Sequence, residues 1–81
     1  MDGKSQKPVL VDQLALPAFR RLPYHEQQEL VLRARRIDAG QERPLADFTR
    51  GTYAFLLTRG TIVYLKALPD SIIIEHVIER T

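Results

Sequence analysis

From Tyr53 onward the chain carries three segments of β-branched and aromatic residues, over 53–58, 61–68 and 71–79, separated only by Arg59-Gly60 and Pro69-Asp70. Gaps this short between segments of strand chemistry leave room for tight turns and little else, so they predict an antiparallel meander. A meander of this kind must bury one face. The helical N-terminal half is the element available to cover it.

At 81 residues the chain can form one domain around one small core, with little room for a deep, water-excluding active site. A binding module or a minimal enzyme is the expectation. The absence of cysteine excludes disulfides and thiolate metal sites and fits a reducing, intracellular setting. No apolar run approaches the roughly 20 residues needed to span a bilayer, and the start, MDGKSQK, lacks the apolar stretch of a secretory signal. A cytoplasmic location with no membrane partner follows as the expectation.

The formal net charge is only +2, but nine of the twelve basic residues are Arg. Arg is favoured where planar, bidentate contacts to phosphates or carboxylates matter. The basic excess lies in residues 1–40, which hold seven basic and five acidic groups. A solvated helix face is the competing reading of the same charges.

Residues 1–7 are polar and predict a frayed tail, and residues 8–11 (PVLV) predict an edge strand, where Pro8 is tolerated. Pro17 and Pro23 each suit a first helical position, dividing this region into a short turn of helix over 17–22 and a main helix over 23–39. Leu30, Ala34 and Ile37 recur at helical spacing, Val31 widens the stripe, and Gly40 stands where a left-handed residue ends a helix. The stripe is expected to pack on strand residues such as Phe55, Val63 and Ile74, leaving Arg33 and Arg36 in solvent. Glu26 and Glu29 lie near the positive end of this helix and Arg33, Arg35 and Arg36 near the negative end, so part of the arginine content serves the helix dipole. Residues 41–51 predict a connecting loop with Leu45 and Phe48 tucked beneath it.

In the last segment Ile72, Ile74, His76 and Ile78 alternate onto one face and Ile73, Glu75, Val77 and Glu79 onto the other. Apolar residues on both faces predict a central strand, with one side toward the helices and the other available to a partner. Catalytic constellations are nearly missing. His25 and His76 are the only imidazoles and lack a metal-binding spacing, Ser5 and Ser71 are the only serines, and the glycines form no phosphate loop. Both histidines read as structural, and no cofactor, metal site or catalytic residue is predicted.

The order of parts, PVLV, then LPAFRRLPYHEQQELVLRARRIDAG, then PLADFTRG, then YAFLLTRGTIVYLKALPDSIIIEHVIER, resembles the RelE/ParE superfamily of small toxins. The likeness covers roughly residues 8–80. It lies in the Leu-Pro step before the second helix, the Arg-Gly just before a strand that opens with Tyr53, the Gly60 to Tyr64 spacing of the second strand, and the β-branched third strand. The resemblance implies an α+β fold with two N-terminal helical segments packed on a mostly antiparallel three- to four-stranded sheet. It also implies one of two activities, since RelE-like members cleave messenger RNA on the ribosome and ParE-like members poison DNA gyrase. Both kinds are neutralised by a cognate antitoxin.

Positions that are basic in the nuclease branch are Ala54 and Leu56 here, Thr61 or Ile62 stands in place of an early strand Arg, and the chain stops at Glu79, Arg80 and Thr81. The resemblance therefore points to a ParE-like toxin that acts by binding a host target. A degenerate RelE-like interferase, with Arg50, Arg59, Lys66 and Arg80 on RNA phosphates, is the alternative. A non-toxic inhibitor or adaptor of the same fold is a third reading. In each case Ile73 is expected in an apolar partner surface, rimmed by Arg50, Arg59 and Arg80.

Overall fold

A computed structural model describes residues 7–79. The elements run β1 (Val9–Val11), α1 (Leu16–Arg21), α2 (Tyr24–Asp38), β2 (Ala46–Asp47), a 3-10 turn (Thr49–Gly51), β3 (Thr52–Leu56), β4 (Ile62–Ala67) and β5 (Ile72–Ile78). They form one sheet in the order β1-β5-β4-β3-β2, antiparallel except for β1, which runs parallel to β5 with Val9 opposite Ile72. Both helices pack on one side of it. The expected α+β class holds, but the sheet has five strands rather than three or four, because the loop after α2 adds the two-residue β2 at an edge.

The core joins Leu30, Ala34 and Ile37 of α2 to Phe55, Val63, Leu65, Ile72 and Ile74 of the sheet, with Ala15, Leu22, Leu57 and Val77 closing its margins. The helical spacing of the apolar residues in α2 thus selects the face expected. Pro17 lies in the first turn of α1, whereas Pro23, at φ −57 and ψ 152, is the N-cap of α2 and lies just outside it. The break between the helices is locked by Gln27, whose Nε2 donates to the carbonyls of Phe19 and Leu22, both at 3.1 Å. At the far end Gly40 takes φ +76, the Gly40 N–H donates to the Ile37 carbonyl at 3.1 Å and the Gln41 N–H to the Arg36 carbonyl at 2.8 Å. This is the Schellman closure, which satisfies carbonyls that the helix leaves open.

Several expectations are corrected. Lys7, expected in the frayed tail, is anchored: its Nζ donates to Asp38 Oδ1 at 3.0 Å and to the Leu68 carbonyl at 2.7 Å. Residues 1–6 and Arg80 lie outside the described residues. Arg33 is only partly exposed, because Glu29 and Glu42 draw its guanidinium down over the Phe55 ring, 5.7 Å from the centroid. Leu45 and Phe48 are not tucked under a loop but are 64% and 46% exposed. Their segment is a hairpin arm, tied to β3 by Leu45 N–H to the Ala54 carbonyl at 2.7 Å and Phe48 N–H to the Thr52 carbonyl at 2.8 Å.

The largest departure is in β5. Tyr64 pairs with His76 and Leu65 with Ile74, so Glu75 has no opposite residue and forms a bulge. Ile72 and Ile74 face the core, and beyond the bulge the alternation changes phase so that Val77 takes the core position opposite Val63. His76 and Ile78, expected on the face of Ile72 and Ile74, lie on the opposite one.

Candidate functional site

Among the described residues, no element covers the side of the sheet away from the helices. Residues opposite one another across a strand pair share a face, and the pairings put Leu10 beside Ile73, Ile73 beside Lys66, Lys66 beside Thr52, and Ala54 beside Tyr64. The bulge brings His76 next to Tyr64 in that row and places Ile78 beside Ile62. The result is an open face with apolar ends and a polar, aromatic middle.

Its middle is ordered by ring contacts. Phe48 lies nearly parallel to Tyr64, with centroids 6.0 Å apart and planes at 18°, and His76 meets Tyr64 edge-on at 5.8 Å and 89°. Such arrangements match the quadrupoles of the rings, so they hold side chains at the surface with less freedom than isolated ones would have. Thr52, Glu75 and Ile78 complete a shallow groove around them. An imidazole, a phenol, a carboxylate and the ammonium of Lys66 therefore share one surface. The groups suit stacking against a flat ligand and hydrogen bonding to its edges. Among the described residues no cluster of three or more metal-ligating side chains occurs.

The residues expected to bind fall into separate places. Ile73, half-buried, and Lys66 are neighbours on the open face. Arg50 is exposed in the 3-10 turn at the start of β3 and takes the left-handed conformation, φ 65 and ψ 37. Gly51 follows at φ 74, and a side chain there would meet the Ala67 carbonyl at 3.0 Å, so the turn is held tight against β4. Arg59 lies in the turn at the other end of β3, roughly 17 Å of strand away. Its Nε is 3.5 Å from Glu26, a carboxylate buried at the start of α2, which holds it on the helical side. Arg50 and Arg59 therefore do not form one rim, and Arg80 lies outside the described residues.

Sequence reasoning missed Tyr64, His76, Glu75 and Phe48 as a group. Strict alternation puts His76 on the face of Ile72 and Ile74, whereas the bulge turns it to the other, and Phe48, expected beneath a loop, is exposed. The available signal was the pairing of Tyr64 with His76, which requires the bulge to be known.

A second polar cluster joins the helical layer to the sheet edge. Glu29 accepts the Thr58 N–H at 3.0 Å, the Thr58 hydroxyl at 2.8 Å and Arg33 Nη1 at 3.0 Å. Burial pushes its carboxyl up, but the bonds from Thr58 and from Arg33 together outweigh burial and hold it below the ordinary value. For Arg33, burial acts downward and is outweighed by Glu42 and Glu29, so its guanidinium is held still more firmly charged. This cluster fixes the turn after β3 to α2 and leaves the open face untouched.

No protein-family model matches the chain, and no curated protein matches its sequence. Among solved structures it is similar to a chain of the intact E. coli RelBE toxin–antitoxin complex, with a TM-score of 0.70 over 94% of this chain and 99% of that one, at 12% identity. At that identity the likeness speaks to architecture. The chain shares the fold of that chain, an α+β architecture of the kind that the resemblance of its ordered sequence elements implies.

Proposed function

We propose that this protein is the toxin of a type II toxin–antitoxin pair, and that its open sheet face is the surface used on a host target and covered by a cognate antitoxin. The observation that carries this reading is that face itself: on a fold shared with a chain of a toxin–antitoxin complex, Leu10, Phe48, Leu56 and Ile78 are 41–50% exposed with no element among the described residues over them. Exposed large apolar side chains gathered on one face in this way mark interaction sites. The ParE-like form, a toxin that binds DNA gyrase, suits Ala54 and Leu56, which leave the middle of β3 without a cation.

A second reading is favoured by the contact between Tyr64 and His76. With Lys66 on the same face, they supply an aromatic platform, a proton-transferring imidazole and a phosphate-binding ammonium, which suits ribosome-dependent cleavage of messenger RNA. The third reading, a non-toxic inhibitor or adaptor, would use the same face without harm to the cell.

Inducible expression in a bacterium separates them. The first reading expects growth arrest with DNA replication halting before translation, relieved by Ile73→Asp and unchanged by His76→Ala. Early arrest of translation, with cuts in ribosome-bound messages that His76→Ala abolishes, would establish the nuclease reading in its place. Growth unaffected at high expression would remove the toxin assignment.

A further inference from the structure

The end of α2 carries charges that its own folding leaves unused. Leu32, Arg35, Arg36 and Ala39 follow the i, i+3, i+4, i+7 spacing, so they share one face of the helix, distinct from the Leu30, Ala34 and Ile37 stripe that packs on the sheet. That face borders a recess of about 350 Å³ between the end of α2 and the starts of β1 and β5. Lys7 and Asp38 stand at its rim, and fully buried Ile72 closes its inner end.

The carboxylate in this recess is already engaged. Asp38 Oδ1 accepts from Lys7 Nζ at 3.0 Å, and the same ammonium donates to the Leu68 carbonyl at 2.7 Å and keeps a third N–H. Arg35 gives its Nε to the Lys7 carbonyl at 3.2 Å, which fixes its guanidinium beside the recess, and Arg36 is exposed. Neither arginine has an ion-pair partner among the described residues. Lys7, Arg35 and Arg36 against Asp38 leave the recess two positive charges in excess. Basic residues in a last helical turn are ordinarily accounted for by the dipole and the open carbonyls. Here the carbonyls of Arg35, Arg36 and Ile37 already accept the N–H groups of Ala39, Gln41 and Gly40, so capping requires neither guanidinium. Two like charges on neighbouring residues also repel each other, and a bound anion would relieve that.

We propose that this recess binds a small phosphomonoester, with its phosphate between Arg35 and Arg36 and its organic body along Leu32. A guanidinium can give a phosphate two parallel bonds, a phosphomonoester carries close to two negative charges at neutral pH, and the volume is at the lower end of the roughly 300–1,000 Å³ of small-ligand sites. Leu32, 52% exposed on the same helical face, supplies an apolar wall that a bare anion would not need. The site lies across the molecule from the open sheet face and depends on neither reading of that face.

The test titrates the full, ¹⁵N-labelled chain with phenyl phosphate, inorganic phosphate and phenol, following backbone amides by NMR. Phenyl phosphate should move the amides of residues 35–41 saturably, at least about tenfold more tightly than inorganic phosphate, while phenol leaves them unmoved. Binding should strengthen as pH rises through about 6, where the phosphate takes its second charge, and weaken with salt. Arg36→Ala should weaken it about tenfold, Leu32→Asn should bring phenyl phosphate close to inorganic phosphate, and Lys66→Ala on the open face should change nothing. Leu32 and Arg36 are exposed, so their variants should keep the wild-type circular dichroism; the map on the wild-type chain decides the site without them. The proposal is overturned if phenyl phosphate does not saturate, or if the moving amides are those around Tyr64 and His76 and Lys66→Ala abolishes the effect. Equal binding of phenyl phosphate and inorganic phosphate would also overturn it, reducing the recess to an adventitious ion contact.

Discussion

Leu30 has no exposed surface, while Arg36, on the same helix, projects into solvent. Truncating the first leaves a cavity between α2 and the sheet, so Leu30→Ala should cost about 2–5 kcal/mol, a large share of the roughly 5–15 kcal/mol that holds a domain together. Arg36→Ala should stay within about 0.5 kcal/mol, and urea melts will compare the two. The apolar spacing of α2 predicts that contrast from sequence alone. Arg33 escaped the same reasoning, because its partner Glu42 lies beyond the helix end and only the folded loop brings it to 2.8 Å. Glu29 provides a pH prediction. Its folded carboxyl is held below the ordinary value, so its contribution is present above that value and is lost as pH falls through the lower, folded one. The stability gap between the wild type and Glu29→Gln should therefore shrink below about pH 4 in chemical melts at stepped pH.

At the level of elements, strands β3, β4 and β5 were legible because their turns are written in residues with fixed conformational preferences. The Gly60 N–H closes on the Leu57 carbonyl at 2.9 Å with Gly60 at φ 99, and Leu68 N–H donates to the Ser71 carbonyl across Pro69-Asp70 at 2.8 Å. The two-residue β2 was not legible, since nothing in Ala46-Asp47 distinguishes a strand from a loop. Nor was the bulge, since alternation read along one strand carries no information about its neighbour's register. Two deletions test it. Removing Glu75 should heal the bulge and preserve every core pairing, giving a folded protein. Removing Ile73 shifts Ile72 to the open face and should unfold it, as thermal scans by circular dichroism will show. Two glycines differ in the same spirit. Gly40→Ala meets nothing within 4 Å and carries only the cost of the left-handed conformation, about 1 kcal/mol, whereas Gly51→Ala adds a contact with the Ala67 carbonyl at 3.0 Å and should melt earlier.

For the whole molecule, the sequence conveyed the layer arrangement and the presence of an unpartnered sheet face, but not which side chains compose it. Ile73 and Lys66 are neighbours there through a strand register that neither segment reveals by itself, while Glu26, whose burial cannot be read from its position in a helix, draws Arg59 away. The partner prediction changes accordingly. With a co-expressed antitoxin, Ile73→Asp should speed dissociation and Lys66→Glu should alter association and its salt dependence, whereas Arg59→Glu should leave both unchanged and lower stability instead, as surface plasmon resonance and melting will show. The pairing of β1 with β5 carries one more consequence, for the time course of synthesis. Val9 waits for Ile72, so the sheet edge, the core around Ile72 and Ile74, and the row through His76 form together only after translation has passed β5. A nascent chain interrupted earlier holds helices and a partial hairpin with no complete surface to act through, so whatever the open face binds would be out of reach of every unfinished copy.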